Sequence, residues 1–267
     1  MSDVLFEIKE AVAVVTLNRP TALNSFTKSM HRELWAVFDQ IEANKNIRAM
    51  VLTGAGRGFC AGADLSEFDF SEGLDSQGRT MVERANPRAV INDYFNPTAL
   101  RLQALRVPTI AAVGGVAAGA GASYALSCDI TIAAPTASFI QAFSKIGLIP
   151  DSGGSWLLPQ RLGMARAMAL CMTGDKLTAA QAKEWGLIWD VADDALEASL
   201  SMASRMATMP TKALVETRHL LRSAVTNTYN QQLNLERDVQ SNLGSTHDYI
   251  EGVSAFLQKR PAQFKGE

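Results

Sequence analysis

A chain of 267 residues can bury a sizeable core, either as one large domain or as a domain with an appendage. Charged residues make up 19% and hydrophobic ones 47%, with a formal net charge of -2, which argues against disorder and against a polyanion-binding surface, so no nucleic-acid partner is expected. The opening MSDVLFEIKE has no basic stretch ahead of an apolar run, and Cys60, Cys128 and Cys171 are odd in number and lack metal-ligand spacing; a cytoplasmic protein with packing cysteines and no metal is expected.

In chain order, Val4 to Lys9 and Val12 to Asn18 read as a hairpin, followed by a helix from an N-cap at Thr27 toward Ala43. Arg48 to Thr53 is a strand, residues 54–62 a glycine-rich loop, and parts of 64–106 are helical. Thr109 to Val113 is the next strand, leading through a second glycine-rich turn and a small-residue helix to a strand at Asp129 to Ala133. The uncharged span Val107 to Cys128 is long enough to cross a bilayer, but Gly114, Gly115, Gly119 and Gly121 break it, so no membrane segment is expected. Thr178 with Gln181 predicts a capping box for a helix ending near Gly186, then a last strand at Leu187 to Val191. From about Asp193 to Leu257 the periodicity is helical almost throughout.

Three places bring glycine next to polar groups: TGAGRGFCAGAD (Thr53 to Asp64), GGVAAGAGAS (Gly114 to Ser123) and DSGGS (Asp151 to Ser155). Neither of the first two fits GxGxxG, which argues against a dinucleotide site. Ser123 and Ser152 are not in GxSxG, and His31, His219 and His247 all fall in helical stretches, so no hydrolytic triad is indicated. What remains is a set of backbone N–H donors, suited to an enolate oxygen, and one carboxylate, suited to moving a proton. Asp151 allows two readings on pattern alone. It is a base whose pKa is raised among Ile146, Leu148, Ile149 and Trp156, or it is the N-cap of a helix starting near Ser152.

LNRPTALNSFT (Leu17 to Thr27), VLTGAGRGFCAGADL (Val51 to Leu65), VGGVAAGAG, CDITIAA and EGVSAFLQKRPAQF (Glu251 to Phe264) occur in an order that resembles the crotonase (enoyl-CoA hydratase/isomerase) superfamily over nearly the whole chain. The resemblance implies an α/β fold, with a spiral of ββα repeats over residues 1–195 forming an acyl-CoA-binding catalytic core. A helical region, 196–267, would mediate a homotrimer or a hexamer of two trimers. It also implies an acyl-CoA thioester substrate, CoA being part of the substrate and no separate cofactor being needed. The oxyanion-hole amides fall on Ala63 and Ala120, where alanine replaces the usual glycine at the second but keeps its N–H. CoA contacts fall on Ala22, Leu23, Ala61, Gly62, Asp64 and Leu65, with Arg57 near the nucleotide phosphates and Phe256 and Lys259 packing on CoA, often from a neighbouring subunit. Thr21 and Ser66 stand where relatives often carry lysine.

The two glutamates of the family's hydratases fall on Ser123 and Phe143, neither of which can act as a general base. Asp151 matches the acidic position of the family's isomerases, and SFIQAFSKIGLIPDSGGSWLLPQRLGMARAM (Ser138 to Met168), KEWGLIWDVADD and LERDVQ carry the same likeness. The resemblance thus implies conversion of ring-1,2-epoxyphenylacetyl-CoA to oxepin-CoA in phenylacetate breakdown, and a shift of 3-enoyl-CoA to 2-enoyl-CoA. The alternatives are a hydratase working through Ser123 and ordered water, and a CoA-binding subunit without turnover.

Overall fold

A computed structural model describes residues 2–267. Strands β1 (Val4–Lys9) and β2 (Val12–Leu17) form the expected hairpin, turning at Glu10, whose φ is 55°. Helix α1 (Lys28–Ala43) starts where the sequence places it, because the Thr27 hydroxyl accepts the Met30 N–H at 3.1 Å. It buries Met30, Leu34, Val37, Phe38 and Ile41, a three-and-four spacing that makes one apolar face.

The chain then repeats one unit: a strand in a large sheet, a short strand in a small sheet, then helix. β3 (Ala49–Gly54) and β4 (Gly58–Cys60) lead into α2 (Met81–Arg84), α3 (Arg88–Val90), a π-helical turn at Ile91–Phe95 and α4 (Asn96–Ala104). β5 (Thr109–Val113) and β6 (Val116–Ala118) lead into α5 (Ala120–Ser127); β7 (Ile130–Ala133) and β8 (Ser138–Ile140) lead into α6 (Gly154–Leu162) and α7 (Met164–Thr173). β9 (Lys176–Thr178), α8 (Ala179–Glu184) and β10 (Asp190–Val191) finish the strands, and α9 (Ala195–Ala207), α10 (Thr211–Ser223), α11 (Tyr229–Leu243) and α12 (His247–Leu257) follow. The large sheet runs β1-β2-β3-β5-β7-β10 and is parallel beyond its first pair; the small one runs β4-β6-β8-β9. β3 and β5 are buried on both faces, as parallel strands covered by helices are. α9 crosses the large sheet, and Ala195, Ser199, Ala203 and Ala207, four residues apart, let its backbone come close.

Two sequence expectations need correction. The glycine-rich stretches around 58–60 and 116–118 are not only loops: they pair in parallel as β4 and β6. The last strand is Asp190–Val191, not Leu187–Val191, because the Leu187 and Ile188 N–H groups donate back to the Ala182 carbonyl to close α8, and pairing begins only with Trp189 N–H to Thr131 O. Val107 to Cys128 resolves into β5, β6 and α5, and among the described residues no helix is long and apolar enough to cross a membrane.

Arg218 of α10 is 6% exposed. Its guanidinium donates to both Asp129 carboxylate oxygens (2.7 and 2.6 Å) and to the carbonyls of Leu105 and Val107 (both 2.6 Å). Arg218→Ala takes this donor from two carbonyls and the bidentate partner from Asp129, which keeps the Thr109 N–H and hydroxyl and has Arg222 at 3.5 Å. Losing one partner of a buried pair typically costs about 3–5 kcal/mol, and the donors that remain put this loss at the lower end. The expected result is a clear fall in thermal midpoint; an unchanged midpoint would show that this clamp contributes nothing.

Candidate active site

The first half of the site is built by the segment 19–26 lying against 55–64. Asn24 is fully buried in the left-handed region (φ 57°), which asparagine tolerates better than most residues. Its Oδ1 accepts the Arg19 N–H at 2.8 Å, and its amide donates to the carbonyls of Ala55, Gly58 and Phe59 at 2.9 to 3.2 Å. Ala61 N–H donates to Leu23 O, Phe26 N–H to Gly62 O and Asp64 N–H to Phe26 O, so residues 61–64 are held like a strand along 23–26. Asp64 pairs with Arg19 at 2.8 Å and caps the turn Leu65–Glu67. Partial burial works against its ionisation, but hydrogen bonds from Ser66 and Arg19 outweigh this and hold its carboxyl below the usual range. Its side chain is therefore occupied.

Gly62 has φ 96°, and a Cβ there would lie 3.0 Å from the Ala118 carbonyl and 3.6 Å from the Ala120 nitrogen. Only a glycine lets this loop approach the start of α5. Ala63 and Ala120, on the two sides of that contact, have N–H groups that donate to no protein acceptor among the described residues. Two unengaged amides, one at a helix N-terminus, make a place for a developing negative charge.

The second half is the strap 150–154. The Ser123 hydroxyl reaches the Asp151 carbonyl at 3.1 Å and the Gly119 carbonyl at 3.3 Å, which docks the strap on the first turn of α5. A Cβ on Gly154 would stand 2.7 Å from Ser123 Oγ, so the docking needs glycine there too. Phe143 is buried against Gly119, 3.5 Å from where a Cβ would sit. The two positions at which the resemblance places hydratase glutamates are thus a structural hydroxyl and a phenyl ring.

Asp151 itself is half-buried, and burial pushes its pKa up against hydrogen bonds from Ser152 and from its own amide. The carboxylate is not a helix cap. α6 starts at Gly154 behind left-handed Gly153, with no side chain capping it, and Asp151 supplies only its carbonyl to the Gly154 N–H at 2.8 Å. No ion pair reaches it among the described residues. Burial raises its pKa as the sequence predicts, while Ile146, Leu148, Ile149 and Trp156 are themselves exposed, Ile149 at 80%. The strap points them outward, and Asp151 is enclosed instead from the side of α5, where it acts electrostatically on the buried Tyr124 phenol.

The histidines stay apart. His31 is buried in an aromatic cluster, 4.9 Å from the Phe26 ring centroid, with Nδ1 2.8 Å from Thr98 Oγ1, and burial takes its pKa down to about 3. His219 and His247 sit beside Glu216 and Asp248. Of the residues assigned to CoA, Ala22, Leu23, Ala61, Gly62, Asp64 and Leu65 are brought together, and Arg57 is exposed at the tip of the same loop. Phe256, 82% exposed, and Lys259 share no hydrogen bond or ion pair with that loop among the described residues. A cavity of 330 Å³ at the carboxyl ends of β3 and β5, lined by Thr53, Gly114, Asp193 and Asp194 among others, contains none of the residues assigned to the site.

The chain belongs to the enoyl-CoA hydratase/isomerase family, whose profile matches residues 7–267, and the spiral of strand, strand and helix is the crotonase fold of its solved members. It is thus a member of a family of enzymes acting on CoA thioesters. It is 48% identical to the 1,2-epoxyphenylacetyl-CoA isomerase of Escherichia coli K12 over the full length of both chains. It is 35% identical to the 2,3-dehydroadipyl-CoA hydratase of the same organism, again over the whole of each. The crystal structure of an enoyl-CoA hydratase from Polaromonas sp. JS666 superimposes with a TM-score of 0.88 at 33% identity, covering 98% of this chain and 99% of that one.

Residue-by-residue reading missed Asn24 and Tyr124, and weighed Ser152 only as a nucleophile. Asn24 stands in RPTALNS, where asparagine after a proline turn is a signal for left-handed backbone. Nothing local marks Tyr124.

Proposed function

We propose that the chain is an acyl-CoA isomerase in which Asp151 carries a proton between two carbons of a thioester enolate. The observation that carries this reading is a half-buried carboxylate with neither a counter-ion nor a capping role among the described residues, on a strap whose Asp151 carbonyl docks on the helix whose first amide is free. With a 3-enoyl thioester, Asp151 takes a proton from C2 and the electron pair moves onto the thioester oxygen, where the Ala63 and Ala120 N–H groups stabilise it. The protonated Asp151 then delivers that proton to C4, and the double bond comes to rest between C2 and C3. Removing one such backbone-type donor typically costs about 10²- to 10³-fold in rate, which is the scale of help expected from each amide. The identity to the E. coli isomerase supports ring-1,2-epoxyphenylacetyl-CoA as the preferred substrate and oxepin-CoA as its product.

In the same reading Arg57 meets the CoA phosphates, and Phe256 and Lys259 serve the CoA of a neighbouring subunit in a homotrimer, alone or paired into a hexamer. The resemblance of several relatives to hydratases keeps water addition in view, but Ser123 has its hydroxyl engaged by two carbonyls and Phe143 has no proton to exchange. Purified protein should consume the epoxide thioester and, with 3-enoyl-CoA, create the conjugated-thioester absorbance, leaving that of crotonyl-CoA intact. Loss of crotonyl-CoA absorbance without isomerisation of either other substrate would replace this reading by a hydratase.

A further inference from the structure

The residue after Asp151 stands out for its backbone. Ser152 is 2% exposed and has φ 51°, a left-handed conformation that an L side chain adopts only when its surroundings impose it. Glycine follows at once with φ 86°, so the chain could have relieved the strain by substitution but keeps a hydroxyl there. That hydroxyl lies 3.0 Å from Asp151 Oδ1 and donates to it. Buried residues in strained geometry next to a reactive group are places where the conformation serves the group.

Resting on the catalytic reading of Asp151, we propose that Ser152 is its positioning residue: a buried hydroxyl, held in strained backbone, that fixes the Asp151 carboxyl by a hydrogen bond to Oδ1 and so aims its other oxygen at the substrate. Among the described residues the other hydrogen bond to this carboxyl comes from its own amide, so Ser152 is the side chain whose hydrogen bond restricts how it rotates. Tyr124, from α5, backs the arrangement: its phenol donates to the Phe95 carbonyl at 2.9 Å, and the Ser152 hydroxyl interacts with it. Cys60 of β4 and His31 of α1 also lie near Tyr124, and neither is among the groups that shift Asp151. A donor to the ionised carboxylate favours that form, so the same contact moderates the upward push of burial.

The test compares Ser152→Ala, Ser152→Gly and Asp151→Asn. Alanine keeps the backbone constraint and removes the hydroxyl; glycine removes both, so the pair separates the hydrogen bond from the strain. Both Ser152 variants should lower kcat by about 10- to 100-fold with KM within about three-fold, the scale expected when a catalytic group is misaimed. Both should also shift the acidic limb of the kcat–pH profile to higher pH. A wild-type kcat and an unmoved limb in either, with Asp151→Asn inactive, overturns the positioning role alone. A fall in kcat with an unmoved limb overturns it too, because general loosening of the strap would do that. Full activity in Asp151→Asn overturns the catalytic reading and the positioning role with it.

Discussion

Asp151→Asn is expected to lower kcat for both the epoxide thioester and 3-enoyl-CoA by about 10²- to 10⁴-fold, the usual worth of a positioned acid–base group, with little change in KM. The amide keeps the volume and an acceptor for Ser152, so the strap should dock as before; only the proton carrier is lost. Activity within a few-fold of wild type would remove Asp151 from the chemistry. The same substitution should raise the thermal midpoint near neutral pH. Because burial lifts the folded-state pKa of Asp151 above its ordinary value, folding favours the protonated acid. That contribution is fully present below the ordinary carboxyl range and is lost as pH rises through the raised folded value. At neutral pH the wild type therefore folds around a carboxylate that would be better solvated outside, and asparagine has no such penalty. A gain in stability with a loss of rate is the signature of a group kept for its reactivity; an Asp151→Asn midpoint below that of wild type would contradict the burial argument.

Gly121→Ala is expected to damage both stability and activity. A Cβ at this position would stand 2.4 Å from the Cys60 carbonyl and 2.7 and 2.8 Å from the Cys60 side chain, and the carbonyl is backbone that cannot simply turn aside. Overpacking of this kind typically costs about 1–3 kcal/mol. The displaced pieces are β4, which leads directly to Ala63, and the first turn of α5, which carries Ala120. Pushing them apart by even a fraction of an ångström changes the distance between the two amides that, in the proposed reading, meet one oxygen, and misplacements near 1 Å can cost about 10²-fold in rate. A variant with a lowered melting midpoint and unaltered kcat/KM would show that the two amides do not act as a pair.

Local signals were legible. The Thr27 cap, the run of α1 to Ala43 and the span of β5 depend on neighbours within a few residues, and the structure returns them where the sequence places them. The small sheet was not legible, because three-residue strands such as Gly58–Cys60 and Val116–Ala118 are too short to show alternation and are made of residues that also make turns. The position of Asp151 on a glycine-rich turn and its pKa raised by burial were readable; that Ile149 and Trp156 would stay exposed was not, because the strap is docked on α5 through Ser123, nearly thirty residues away in sequence. The contribution of Asn24 lies in contacts more than thirty residues away, beyond any local pattern.

Cys60 Sγ accepts the Gly62 N–H at 3.4 Å, one residue before the Ala63 amide, and burial pushes its thiol up to about 12. Such a thiol stays protonated near neutral pH, and the thiolate is the nucleophile. In the reading proposed above the substrate carries a strained three-membered ether, an alkylating agent toward thiolates, and a buried sulfur kept protonated is a poor nucleophile toward it.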